Sequence, residues 1–253
     1  MIPHKFLTFA CTGQSGHTIL AAIIDAHPNA MISEELRVMR KMAKGRYSSP
    51  KELFERVMLD SKNRVNGKNT YRRKIGTIDS QYQGAFSRNL ILLGDKCGWD
   101  SIGKYTERGV KNRTLLEFQD NIKIPLLVIH ALRNPFDLIS NWVRGRKSSL
   151  SSQIEYFEST VEATQRIYYD SDFPRDQIMQ VRNEDLCAAP DVIIKDICIF
   201  LGLDPEKDFI GDCASIVFSK PNYRKGEVSW DDESIKKVEE LVTKYKFLNG
   251  YCF

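Results

Sequence analysis

The start of the chain limits its fold more than any other stretch. Lys5-Phe6-Leu7-Thr8-Phe9-Ala10 is a short apolar run, Cys11-Thr12-Gly13-Gln14-Ser15-Gly16-His17-Thr18 is a small, glycine-containing turn, and residues 19–27 form a helical apolar run ended by Pro28. Strand, small-residue turn and helix make a unit that holds phosphate. The turn's N–H groups face inward and the helix N-terminus adds positive partial charge. The turn is not the nucleotide-triphosphate loop, because G-x-x-x-x-G-K-(S/T) is absent, and Gly13 and Gly16 do not fit G-x-G-x-x-G. A tight strand-to-helix turn that needs two small residues and binds nothing reads the same way.

Beyond that unit, apolar runs and turn signals alternate. The patterns predict an amphipathic helix over 49–60 with Pro50 in its first turn, and a polar, irregular excursion over 62–88 of the kind that carries acceptor-binding loops. They predict a strand from Leu90 running into Gly94-Asp95-Lys96, and a strand over 125–132 whose continuous apolar run suits burial on both faces. Helices follow over 134–144 and 151–169, a strand over 177–182, a helix over 190–203 ended by Gly202, and a last helix over 231–245. Alternating strands and helices imply an α/β fold, a central, mostly parallel sheet flanked by helices, as one domain over 1–253. Such sheets present ligands at their carboxyl ends. The first turn, Asp95-Lys96, Arg133 and the segment after Arg182 therefore share one rim.

Composition excludes some classes. The 253 residues are 42% hydrophobic, enough for a core, and the net charge of +4 suits an anionic ligand but is too small to argue for nucleic acid. No segment has the apolar length of a membrane span. The six cysteines are far apart and show no metal spacing, which points to a reducing, cytoplasmic setting and no metal. Arg72-Arg73-Lys74 reads as a solvated face, and the chain has no dense basic run.

Four segments bring polar groups to the rim: the turn Gly13 to Thr18, Lys96, Arg133 directly after a buried strand, and Arg224-Lys225-Gly226. A cation at a buried strand's end is well placed for an anion; an ion pair with Asp137 or a helix-end carbonyl is the alternative for Arg133.

In these segments the chain resembles the sulfotransferases that use 3′-phosphoadenosine 5′-phosphosulfate (PAPS). Gln14-Ser15-Gly16-His17-Thr18 is similar to their 5′-phosphosulfate loop, (K/R)-S-G-T-(T/S). Leu20 to Pro28 followed by Ser33-Glu34-Glu35 resembles the tyrosylprotein sulfotransferase branch and its bacterial relatives. Arg133-Asn134-Pro135-Phe136-Asp137 resembles the 3′-phosphate motif R-(D/N)-P-x-D, Arg182-Asn183-Glu184-Asp185-Leu186 resembles Y-E-D-L, and Arg224-Lys225-Gly226 matches R-K-G. All stand in the family's order.

The resemblance implies a P-loop-like sulfotransferase fold and sulfuryl transfer from PAPS, with PAP as product, to a hydroxyl on a small molecule, carbohydrate or peptide tyrosine, without metal. It implies that Gly13, Gln14, Ser15, Gly16, His17 and Thr18 cradle the 5′-phosphosulfate. Arg133, Arg224, Lys225 and Gly226 would hold the 3′-phosphate, with Ser140 or Asn141 as the helix partner. Lys96 is implied to stabilise transferring charge and Glu35 to act as general base; helix-end charge or a surface ion pair is the bland alternative for Glu35. The chain departs from the pattern at Gln14, where a basic residue is usual, at His17, which stands in for that charge if protonated, and at Asn183 in place of tyrosine. A catalytically weakened PAPS- or PAP-binding protein is therefore the second reading. A kinase-like phosphotransferase lacks its lysine and its Mg²⁺-holding acid here. His27 is expected to cap or pack the end of the first helix.

Overall fold

The computed structural model describes residues 2–63, 78, 82–86, 89–97 and 114–253. Most of the expected excursion over 62–88, including Arg72 to Lys74, lies outside the described residues. Five strands, β1 (Lys5–Cys11), β2 (Ala30–Glu34), β3 (Leu92–Lys96), β4 (Leu126–Leu132) and β5 (Ile178–Arg182), form one sheet in the order β2-β3-β1-β4-β5. Every pairing is parallel.

The period-2 alternation of β1 explains the layering. Leu7 and Phe9 face a core completed by α1 (His17–Asp25), α8 (Pro190–Leu201) and α9 (Lys207–Ser215). Phe6 and Ala10 face a core built with α3 (Pro50–Asn63) and α4 (Thr114–Ile122). Each fully buried leucine or phenylalanine contributes ~1.5–3 kcal/mol of burial, so the two faces hold the sheet from both sides. β4 is buried along its whole length, as its unbroken apolar run requires. Gly94 sits where β3 presses on β1; a Cβ there would lie 2.8 Å from the Leu7 carbonyl oxygen.

A third cluster packs α5 (Pro135–Arg146), α6 (Leu150–Thr164) and α10 (Asp232–Lys244) beside the β4–β5 end. Asn134 caps α5 by accepting the Phe136 N–H at 2.9 Å, and Asp231 caps α10 by accepting the Ser234 N–H at 2.8 Å. The helix expected over 151–169 ends at Thr164 and passes into a π-turn, Gln165–Tyr169. Sequence patterns missed β2 and three short helices, α2 (Val38–Ala43), α7 (Asn183–Ala188) and α9.

The chain leaves β1 toward β2 on one side and β4 toward β5 on the other. The switch between β1 and β4 opens a crevice at their carboxyl ends. The residues after β1 and β4, from Gly13 to Thr18 and at Arg133, meet there.

Candidate active site

The turn after β1 holds two left-handed residues, Gln14 at φ 75° and Gly16 at φ 90°. Gly16 begins α1, and no side chain caps that helix, so its first-turn N–H groups are not satisfied by a cap. The turn is tied in place from three directions. Ser15 Oγ donates to the Thr12 carbonyl at 2.9 Å, Trp142 Nε1 donates to the Gly13 carbonyl at 3.0 Å, and Arg133 donates to the Gln14 carbonyl at 3.1 Å. Asn183 lies over Gly16, where a Cβ would meet its Oδ1 at 2.6 Å. Gly16→Ala is expected to cost ~1–3 kcal/mol from strained φ and this clash. Adding Asn183→Ala to Gly16→Ala should recover only the clash. Thermal unfolding of the single and double variants checks this, and an unchanged Tm for Gly16→Ala would refute it.

Arg133 is buried at the end of β4 and does not pair with Asp137. Its guanidinium donates to the Gln14 and Asn222 carbonyls, while Nε is buried with no hydrogen-bond acceptor among the described residues. Burial lowers its pKa, opposed by nearby Asp137 and Glu184. Asp137 instead accepts the N–H groups of Arg224 and Lys225, which fastens the R-K-G segment to the start of α5. The Arg224 side chain bonds Glu227 at 2.6 Å, and Lys225 Nζ sits 5.2 Å from the centre of the Phe253 ring. A Cβ on Gly226 would meet nothing within 4 Å, so its backbone is open to a ligand. Ser140 is fully buried and accepts from Trp230 Nε1 at 3.1 Å, whereas the neighbouring Asn141 is half-buried. Beside the turn and Arg133 lies a cavity of about 280 Å³, lined also by His17, Thr18, Asn183, Phe218 and Lys220.

At the neighbouring strand ends, Lys96 Nζ contacts Glu35 Oε1 at 3.1 Å; the lysine is buried and the carboxylate half exposed. The Glu35 N–H donates to the Lys96 carbonyl at 2.7 Å, and the Cys97 thiol donates to Glu35 Oε2 at 3.7 Å. Glu35 and Arg37 adopt left-handed backbones at φ 58° and 61°. Asp95 holds that strained turn: its carboxylate accepts Ser33 Oγ at 2.8 Å and the N–H groups of Leu36 and Val38 at 3.1 Å each.

Burial raises the Asp95 pKa to about 6, against the lowering effect of those three bonds. With the folded value above the unfolded one, stability contributed by the protonated acid is fully present below about pH 4 and is lost as pH rises through about 6. Asp95→Asn should remove that downward slope between about pH 4 and 6 while adding a pH-independent offset for a lost acceptor. Denaturant unfolding of both chains across pH checks this; parallel curves would refute it.

The sequence reading lets His17 stand in for the missing basic residue only if it is protonated. Burial first, and the positive Lys96 second, lower its pKa to about 4. Its Nδ1 lies 3.3 Å from Ser15 Oγ. His27 packs the end of α1 as expected: Nδ1 accepts the Asn29 N–H at 3.1 Å and Nε2 lies 3.0 Å from the Asp204 carbonyl.

The structure thus brings together the turn, Arg133 and the R-K-G segment on one side, and Glu35 with Lys96 on the other. The Lys96 charge adds to burial in lowering the His17 pKa. Trp142 and Asn222 were not found from the sequence, which placed Asp95 on the rim and Asp137 in the Arg133–Asp137 motif without their clamping roles. An acid beside a buried strand's end, as in Gly94-Asp95-Lys96, is the signal for such a clamp, because it must find donors there.

No family model matches the chain, and no curated protein matches it. Solved structures do. The sulfotransferase domain of the Synechococcus PCC 7002 olefin synthase is 20% identical, with TM-score 0.52 over 93% of this chain and 83% of that one. The sulfotransferase domain from the curacin biosynthetic pathway is 16% identical, with TM-score 0.53 over 95% and 98%. The sulfotransferase from Alicyclobacillus acidocaldarius is 15% identical, with TM-score 0.50 over 97% and 92%. The five-stranded parallel sheet flanked by helices is the sulfotransferase fold.

Proposed function

We propose that this protein transfers the sulfuryl group of PAPS to an acceptor hydroxyl. The observation that carries the reading is the Lys96–Glu35 pair at 3.1 Å, set at the strand ends beside an uncapped helix N-terminus. The site fits the nucleotide. Arg133 Nε is a buried donor lacking an acceptor, Gly226 leaves room for a phosphate against its backbone, and the cavity of about 280 Å³ joins the turn to Arg133.

In this reading the N–H groups from Gln14 to Thr18, with the Ser15 and Thr18 hydroxyls, hold the 5′-phosphosulfate. Arg133 and the Arg224-Lys225-Gly226 segment hold the 3′-phosphate, with Asn141 better exposed for it than Ser140. Glu35 takes the proton of the acceptor hydroxyl as its oxygen bonds to sulfur, and the bond from sulfur to the phosphate oxygen breaks. Lys96 offsets the negative charge that grows on the sulfuryl group and on that oxygen. No metal enters the scheme; among the described residues no group of three or more His, Cys, Asp or Glu side chains could hold one. Among the described residues no helix is long and apolar enough to cross a membrane. The finer likeness to the tyrosylprotein branch rests on sequence motifs.

The second reading, a PAPS- or PAP-binding protein with weakened catalysis, is favoured by Gln14 and by the lowered pKa of His17, which leave Lys96 as the positive side chain at the transfer point. Incubation with ³⁵S-labelled PAPS and a panel of hydroxyl acceptors decides. Labelled product supports transfer. A PAP-induced rise in Tm without product from any acceptor supports the binder, and no response to PAP or PAPS overturns both.

A further inference from the structure

Directly after the R-K-G residues the chain places an acid where the proposed function needs positive charge. Glu227 Oε1 accepts from Arg224 Nη1 at 2.6 Å, and its other oxygen, Oε2, pairs with Nη1 of Arg144 near the end of α5. One carboxylate thus joins two guanidinium groups from separate elements. Carboxylate and phosphate oxygens are the acceptors that guanidinium groups bind best, so the two compete for the same donors.

The backbone fixes acid and cations to one frame. Asp137 accepts the N–H groups of Arg224 and Lys225 at one end of the segment, and Trp230 Nε1 donates to Ser140 Oγ at the other. Asp137, Ser140 and Arg144 all belong to α5. The Glu227 N–H donates to the Arg224 carbonyl at 3.0 Å and closes the turn between them. Only the side chains are left to exchange partners.

Glu227 satisfies Arg224 in part. Nε of Arg224 is buried with no hydrogen-bond acceptor among the described residues, and so is Nε of Arg133. Burial is the main cause that lowers the Arg133 pKa, and the Arg224 charge adds to it, so the two guanidinium groups lie within electrostatic reach of each other. Buried donors without acceptors are costly. A phosphate, with three oxygens and more charge than a carboxylate, can meet donors that Glu227 leaves unmet. The side chains of Arg144, Arg224 and Glu227 keep 46%, 27% and 38% of their surface exposed. Ion pairs this exposed hold weakly, so Arg224 can change partner readily. Arg144 stays with Glu227 in that exchange, and the acid keeps a cation.

We propose that Glu227 is a resident competitor of the 3′-phosphate: it occupies Arg224 in the free protein, yields it to PAPS or PAP, and takes it back as the nucleotide leaves. The proposal rests on the sulfotransferase reading for the identity of the nucleotide. PAPS and PAP carry the same 3′-phosphate, so Glu227 weakens donor and product alike and shortens the stay of PAP.

Calorimetry with PAP and AMP on wild type, E227Q, R224Q and E227Q/R224Q tests it. E227Q should bind PAP about three- to fivefold more tightly than wild type, and release it more slowly. AMP, which lacks the 3′-phosphate, should bind both alike. R224Q keeps Arg133 for the 3′-phosphate, so its PAP binding stays measurable, and there the added E227Q should make no difference. A gain that persists without Arg224 shows repulsion at a distance and overturns the exchange. Equal PAP affinity of wild type and folded E227Q, even with a lower Tm of the free variant, makes Glu227 a structural ion pair and overturns the proposal while the sulfotransferase reading stands. No binding of PAP or PAPS by wild type removes that reading and the proposal with it. If E227Q does not fold, E227D, whose carboxylate is drawn back by one methylene, must bind PAP more tightly than wild type or the proposal fails.

Discussion

Replacing Lys96 by alanine is expected to lower sulfuryl transfer about a hundred- to a thousandfold, the usual cost of removing one positioned donor to transition-state charge. The PAP-induced shift in Tm should change little, because the ammonium contacts Glu35 at 3.1 Å and is assigned to developing charge. The substitution also removes the positive charge that opposes protonation of His17, so that imidazole should titrate at higher pH than in wild type. Single-turnover kinetics with labelled PAPS and histidine NMR titrations measure the two effects. A variant that fails to bind PAPS yet turns over normally at saturation would make Lys96 a binding residue and sink the mechanism. Unchanged His17 titration would separate the two halves of the site.

The second large effect concerns Arg133. Arg133→Ala is expected to weaken PAP about a hundredfold, since a hydrogen bond to a charged partner contributes ~1.5–3 kcal/mol. AMP, which lacks the 3′-phosphate, should be affected much less. Arg133 also joins the Gln14 and Asn222 carbonyls, so its removal should loosen the turn and the segment before Arg224. Arg133→Lys keeps the charge but not the planar fork, and should recover little of the PAP affinity. Thermal shifts and calorimetry with both nucleotides check this. Equal wild-type affinity for PAP and AMP would remove the 3′-phosphate role from Arg133.

How much of this was legible beforehand follows the range of the interactions. β1, β4 and α8 were readable because their apolar runs and their stop signals are local; Gly202, for example, ends α8 in a left-handed conformation. β2 was missed because five buried residues after Pro28 are too few for a period to emerge, and its strand character comes from pairing with β3. The clamping role of Asp137 was not legible for a similar reason. Its nearest cation in sequence is Arg133, yet it accepts N–H groups from residues almost ninety positions away. The local choice lost to backbone donors that would otherwise be buried without an acceptor.

By itself, the sequence determined the alternating α/β pattern, the rim at the strand ends and the residue types available for an anion, because these depend on periodicity and on which side chains stand next to which strands. Tertiary structure alone decided three things. It buried His17, which pushes the imidazole pKa down, and no neighbour in the chain reveals this, because desolvation depends on everything packed around the ring. It set Lys96 against Glu35 from adjacent strand ends, through the parallel register that pairs Glu34 with Lys96. It also set Glu227 between Arg224, its neighbour in the chain, and Arg144, which is far from it in sequence. Charge acts through space, and only the fold sets those distances.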